Sequence, residues 1–175
     1  MVFRVPARPS VVAALLVVTG LGAVAAGALV LFDQYPLAGL CTAVAGGASV
    51  LAGMGARDTR MPRLVFADHA VERVMEAVVF GAVAWDVAPA SAWTAGAALA
   101  ALVASYLASY LPAKALGLGF RMHERLPFRS VRLTLVAVGL LVPDLLGAAL
   151  AAAALVSLEP VIRHGLAVGR QREAG

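Results

Sequence analysis

The chain has 175 residues, of which 62% are hydrophobic and 14% charged, with a mean hydropathy of +0.90. That leaves too little polar surface to clothe a soluble globule of this size and points to a membrane. The net charge of +4 sits on basic residues separated by long apolar runs, which excludes the continuous basic face of a nucleic-acid binder, and the single cysteine, Cys41, excludes an internal disulfide or a cysteine-based metal cluster.

The first uncharged run, Val11 to Phe32, is long enough to cross a hydrocarbon core of about 30 Å. Arg4 and Arg8 before it lend a signal-peptide look, but the run is too long for such a segment and no soluble domain follows, so it is expected to be retained. The turn Asp33-Gln34-Tyr35-Pro36 leads to a second span over residues 37–56. Within it Gly39, Ala43 and Gly47 recur every four residues, as do Ala48 and Ala52, the small-residue spacing of close helix packing in lipid.

A third helix is expected over residues 64–88, with Asp68, Glu72, Arg73 and Glu76 in its first half. A fourth covers 91–111, and Trp85 and Trp93 bracket the turn before it as interfacial anchors. The apolar stretch from Leu133 to Leu158 is divided by Pro143-Asp144, which reads as the turn of a hairpin between helices at 127–142 and 145–166.

Charge placement selects the topology. The outer segments of a six-helix arrangement hold Asp33, Asp86 and Asp144 and no basic residue, while all 14 Lys and Arg fall inside. A five-helix arrangement puts Arg163, Arg170 and Arg172 outside, against the positive-inside tendency. The expectation is an all-α integral membrane protein with six transmembrane helices, both termini cytoplasmic. Residues 1–175 form one domain in the cell membrane.

Ionisable residues within a span are costly, about 2.5–3.5 kcal/mol each on insertion scales, so they mark candidate sites. Asp68, Glu72 and Glu76 share one helical face, flanked by His69 and Arg73. Carboxylates one turn apart chelate a hard cation, or one holds metal while the other takes a proton; the alternative is a solvated helix start. Arg57, Arg60 and Arg63, with Lys114, Arg121 and Arg125, have the chemistry to bind phosphate, but the same residues serve topology and anionic headgroups equally well. His123 and His164 read as surface residues. There is no Ser-His-Asp set, Cys-His pair or phosphate-cradling glycine loop with a lysine.

The order of these pieces resembles the CDP-alcohol phosphatidyltransferase (CDP-alcohol phosphotransferase) family. Its motif runs Asp, two residues, Asp-Gly, two residues, Ala-Arg, a spacer, Gly, three residues, Asp, three residues, Asp. Gly53-Met54-Gly55-Ala56-Arg57 is similar to its Gly-x-x-Ala-Arg core, and Asp68-His69-Ala70-Val71-Glu72 to its acidic end. The apolar continuation Glu76 to Trp85, the exit Ser109 to Leu118 and the stretch Glu124 to Leu141 also resemble the corresponding helices, so the likeness covers roughly Leu37 to Arg172.

The resemblance implies a six-helix enzyme that transfers a substituted phosphate from a CDP-linked donor to an alcohol acceptor in phospholipid synthesis, using Mg²⁺ or Mn²⁺. It assigns Asp68 and Glu72 as metal ligands, Glu72 also as general base, Arg57, Arg60, Lys114 and Arg121 as phosphate-binding residues, and Gly53 and Ala56 as motif backbone. The chain departs from the pattern where the first two aspartates fall at Ser49 and Ala52 and the second glycine at Leu64. Asp58 is the candidate replacement ligand, and Arg57, Arg60 and Arg63 the candidate substitutes for metal charge. Two missing ligands of four should remove most of the rate of a two-metal clamp. The alternative expectation is therefore a non-catalytic relative acting as a lipid- or nucleotide-binding membrane protein or partner subunit. Membrane lipids and a second copy of the chain complete the expected partners.

Overall fold

A computed structural model describes residues 8–59, 61–120 and 128–172. The described residues form six α-helices, α1 (Pro9–Leu31), α2 (Tyr35–Thr59), α3 (Pro62–Val87), α4 (Ala92–Gly117), α5 (Phe128–Leu141) and α6 (Leu146–Arg172), with a single 3₁₀ turn at Pro143–Leu145 and no strand. Four stretches, Pro9–Leu31, Tyr35–Thr59, Ala92–Gly117 and Pro143–Gly169, are long and apolar enough to cross a membrane, which marks the chain as a membrane protein. In α3 the charges at Asp68, Glu72, Arg73 and Glu76 interrupt the apolar run, and α5 is short, with 14 residues.

Short turns make α1 to α4 alternate in direction and α6 return along α5, and the approach of Gly39 at the start of α2 to Leu141 at the end of α5 sets α5 antiparallel to α2. The starts of α1, α3 and α5 and the ends of α2, α4 and α6 therefore share one end of the bundle. Arg8, Arg57, Arg63 and Lys114 are exposed at that end, and Asp33, Asp86 and Asp144 lie at the other. At the acidic end the Tyr35 hydroxyl donates to Asp86 Oδ2, tying the start of α2 to the end of α3.

Two helices run further than expected. The fourth was expected to end at Leu111, before Pro112, yet α4 continues to Gly117 with Pro112 buried inside it. Proline removes one backbone bond and crowds the preceding turn, which neighbouring helices offset in a packed bundle. The stop comes at Gly119, whose φ of 86° is left-handed; its N–H donates to the Leu116 carbonyl and that of Phe120 to the Ala115 carbonyl, a Schellman closure. Gly119→Ala is expected to cost about 1 kcal/mol, measurable as a lower unfolding temperature in detergent micelles, whereas Gly117→Ala, with open space at its Cβ, is expected to cost nothing. Pro160 is likewise accommodated within α6, which reaches Arg172.

The main core gathers Ala26 and Val30 of α1, Val79, Phe80 and Val83 of α3, Ala98 and Ala101 of α4, Val136 and Leu140 of α5, and Leu150 and Ala153 of α6. A second cluster at the basic end joins Val12 and Leu16 of α1 to Ala52 and Ala56 of α2, with Leu64, Val65 and Val71 of α3 against it. Buried hydroxyls close on their own helices, Thr42 onto the Ala38 carbonyl and Ser157 onto Ala153, each at 2.8 Å, so these polar atoms are not stranded. The small-residue stripe on α2 is only partly a contact face. Gly39 meets α5, but Ala43 and Gly47 are exposed, and the buried face runs through Ala38, Thr42, Ala45, Ser49, Ala52 and Ala56.

Candidate functional site

Pro62 opens α3, and the four-residue spacing then turns Asp68, Glu72 and Glu76 inward; they are 3%, 5% and 1% exposed. The solvated helix start held open as an alternative is thereby overturned. Burying carboxylates is costly unless they are paired, and Glu72 and Glu76 are paired by two guanidinium groups. Arg73 reaches Glu72 Oε1 and Glu76 Oε2, both at 2.6 Å. Arg132, in the second turn of α5 and 3% exposed, lies 3.4 Å from Glu72 Oε1 and also donates to Glu76 Oε1.

The fourth helix completes the network. Arg73 donates to Ser105 Oγ at 2.6 Å and to the Ser105 carbonyl at 3.1 Å, and Ser105 Oγ donates to Glu76 Oε2 at 2.5 Å. Tyr106 donates its hydroxyl to the Arg73 carbonyl at 3.0 Å, and the Arg73 guanidinium stands 5.5 Å from the centre of the Tyr106 ring, within cation–π range. Two hydroxyls, two carboxylates and two guanidiniums thus join α3, α4 and α5. Arg132 Nε is buried without a hydrogen-bond partner among the described residues.

The other expected site residues are spread out. Gly53 and Ala56 are buried on α2; Arg57 and Asp58, in its last turn, and Lys114, near the end of α4, are exposed. Arg60 and Arg121 lie outside the described residues, as do Arg125 and His123. Ser49 is 1% exposed and Ala52 fully buried, the latter within the apolar cluster with Val12 and Leu16. His69 is exposed, its Nδ1 2.8 Å from the Val65 carbonyl oxygen. His164, expected at the surface, is instead buried on α6, which packs against α4 and α5; neither ring nitrogen has a hydrogen-bond partner among the described residues.

No family model and no curated protein matches this chain. The likeness at Gly53 to Arg57 and Asp68 to Glu72 is therefore carried by those residues alone.

Arg132 and Ser105 were not among the expected site residues. Both had a periodic signal: Arg132 shares a helical face with Val136 and Leu140, and Ser105 with Ala98 and Ala101. The divalent ions that the resemblance implies do not fit the residues present. The Glu76 oxygens each meet a guanidinium, Glu72 Oε1 is shared by two, and the position of the second aspartate is an alanine sealed by apolar neighbours. Among the described residues no three His, Cys, Asp or Glu side chains are grouped to hold a metal.

Proposed function

We propose that this chain is a six-span protein of the cell membrane, both termini cytoplasmic, that keeps a scaffold resembling the CDP-alcohol phosphotransferases without their chemistry. The observation that carries this reading is the packing at Ala52. A phosphoryl-transfer clamp needs water, metal and carboxylate at that depth, and Val12, Leu16, Ala52 and Ala56 instead close a dry contact between α1 and α2, with Leu64 and Val65 of α3 against it. Its working surface is the basic end. There the exposed Arg57, Arg63 and Lys114 meet the phosphates of anionic lipids, and the same charges orient the bundle toward the cytoplasm.

The buried Asp68 and Glu72 favour a transferase as the second reading. In it the acceptor alcohol loses its proton to Glu72 and attacks the phosphate of a CDP-linked lipid, and CMP leaves. The two are separated by measuring CMP release from CDP-diacylglycerol over a panel of alcohols with Mg²⁺ or Mn²⁺. The expected result is no release above a protein-free control. Turnover by the wild type that disappears in Glu72→Ala overturns the non-catalytic reading and installs the transferase.

A further inference from the structure

A carboxylate cluster in a membrane-spanning bundle needs positive charge at short range. Divalent ions supply it from outside the chain; guanidinium groups supply it from within, permanently protonated and tethered to the backbone. Arg73 and Arg132 approach Glu72 and Glu76 from two different helices, and Arg132 and Glu76 are almost wholly withdrawn from solvent. The same two guanidiniums reach across helix boundaries, Arg132 from α5 to α3 and Arg73 from α3 to the Ser105 hydroxyl and carbonyl of α4. Each therefore does what a bridging ion does: it neutralises acids and fixes the helices that carry them.

We infer that Arg73 and Arg132 stand in for divalent cations, so that the junction of α3, α4 and α5 closes and remains closed without metal. This deepens the non-catalytic reading and rests on it. Among the described residues, three elements are seen to bring charge or hydrogen-bonding groups to the junction. They are α3 with Glu72, Arg73, Glu76 and, one turn away, Asp68; α4 with Ser105 and Tyr106; and α5 with Arg132. Arg132 is the more telling of the pair. It comes from a separate helix and is the more buried, and a cation reaching Glu76 Oε1 must displace it.

The test uses the full chain in detergent micelles, with thermal unfolding in EDTA and in millimolar Mn²⁺ and electron paramagnetic resonance of bound Mn²⁺. Wild type is expected to unfold at the same temperature in both and to bind no Mn²⁺ at this cluster. Arg132→Gln is expected to unfold at a lower temperature in EDTA and to recover part of the loss in Mn²⁺. A bound-Mn²⁺ signal should appear with it and vanish on adding Glu72→Gln. If Arg132→Gln does not fold, the charge-balanced Arg132→Gln/Glu76→Gln is expected to fold and still unfold alike in EDTA and Mn²⁺. Mn²⁺ that raises the wild-type unfolding temperature in a Glu72-dependent way overturns the inference. So does an Arg132→Gln protein that folds and takes up no more Mn²⁺ than wild type, or a charge-balanced variant that Mn²⁺ stabilises. CMP release by wild-type protein whose unfolding ignores Mn²⁺ would instead overturn the non-catalytic reading and leave the metal-free closure standing.

Discussion

Glu76→Ala is expected to destabilise the folded protein by about 3–5 kcal/mol, the range for removing one partner of a buried ion pair. Glu76 is the centre of the network: Arg132 holds one of its oxygens, and Arg73 and Ser105 hold the other. Without it Arg132 remains at 3% exposure with Glu72 at 3.4 Å as its charged partner and a stranded Nε. Glu76→Gln is expected to cost less, because it keeps the volume and an acceptor for Ser105. Glu72→Gln is expected to be milder still, since Arg73 retains Glu76 and Ser105 as partners. Replacing the pair together, as Glu76→Leu/Arg132→Met, is expected to restore most of the loss, because two apolar side chains of similar volume need no compensation. Equilibrium unfolding in mixed micelles measures all four; a Glu76→Ala protein within about 1 kcal/mol of wild type would show that the pair contributes no more than an exposed one.

Parts of this network were legible in the sequence, and one part was not, for a physical reason. The four-residue spacing of Asp68, Glu72 and Glu76 puts them on one helical face whatever the tertiary structure, and that face is the buried one. Arg132 shares a helical face with Val136 and Leu140, but that spacing does not by itself single it out from the neighbouring basic residues. Counted along the chain, it belongs to the basic run between α4 and α5 and reads as one more topology-setting charge. Its burial follows from α5 beginning at Phe128 and lying against α2, so that the second turn of the helix is already inside the bundle. The ends of α4 and α6 failed similarly. The fourth helix was expected to end before Pro112, yet packing against neighbours holds it through that residue, and its stop is decided by the left-handed backbone of Gly119; the sixth was expected to pass Pro160 and does, but reaches Arg172 rather than residue 166. His164 lay within the expected sixth helix but was assigned to its exposed side; which face of α6 packs, not how far the helix runs, decides its burial.

Gly39→Val is expected to destabilise the bundle by about 3 kcal/mol, at the upper end for overpacking, and Gly39→Ala by about 1–2 kcal/mol. A Cβ at residue 39 meets Leu141 Cγ and the Leu141 backbone nitrogen, each at 2.8 Å, and the Ala137 carbonyl oxygen at 3.0 Å. Two of those three atoms are backbone, so a rotamer change cannot relieve the contact and α5 itself must move. Gly47, two turns along the same helix, has nothing within 4 Å of its Cβ, and Gly47→Ala is expected to be neutral or to gain up to about 1 kcal/mol from helix propensity. A sequence pattern treats the two glycines as equivalent; the contact between α2 and α5 separates them. That contact also reaches the charge network. Gly46 lies against Leu133, the residue after Arg132, so the face of α2 that admits α5 helps set where the guanidinium lies relative to Glu76. Combining Gly39→Val with Glu76→Gln is accordingly expected to cost less than the sum of the two singles, because a displaced α5 has already loosened the pair that the second change removes. Strict additivity in the unfolding free energies would mean that the acidic end of α5 can shift without moving Arg132, and that the ion pairs alone fix the helix.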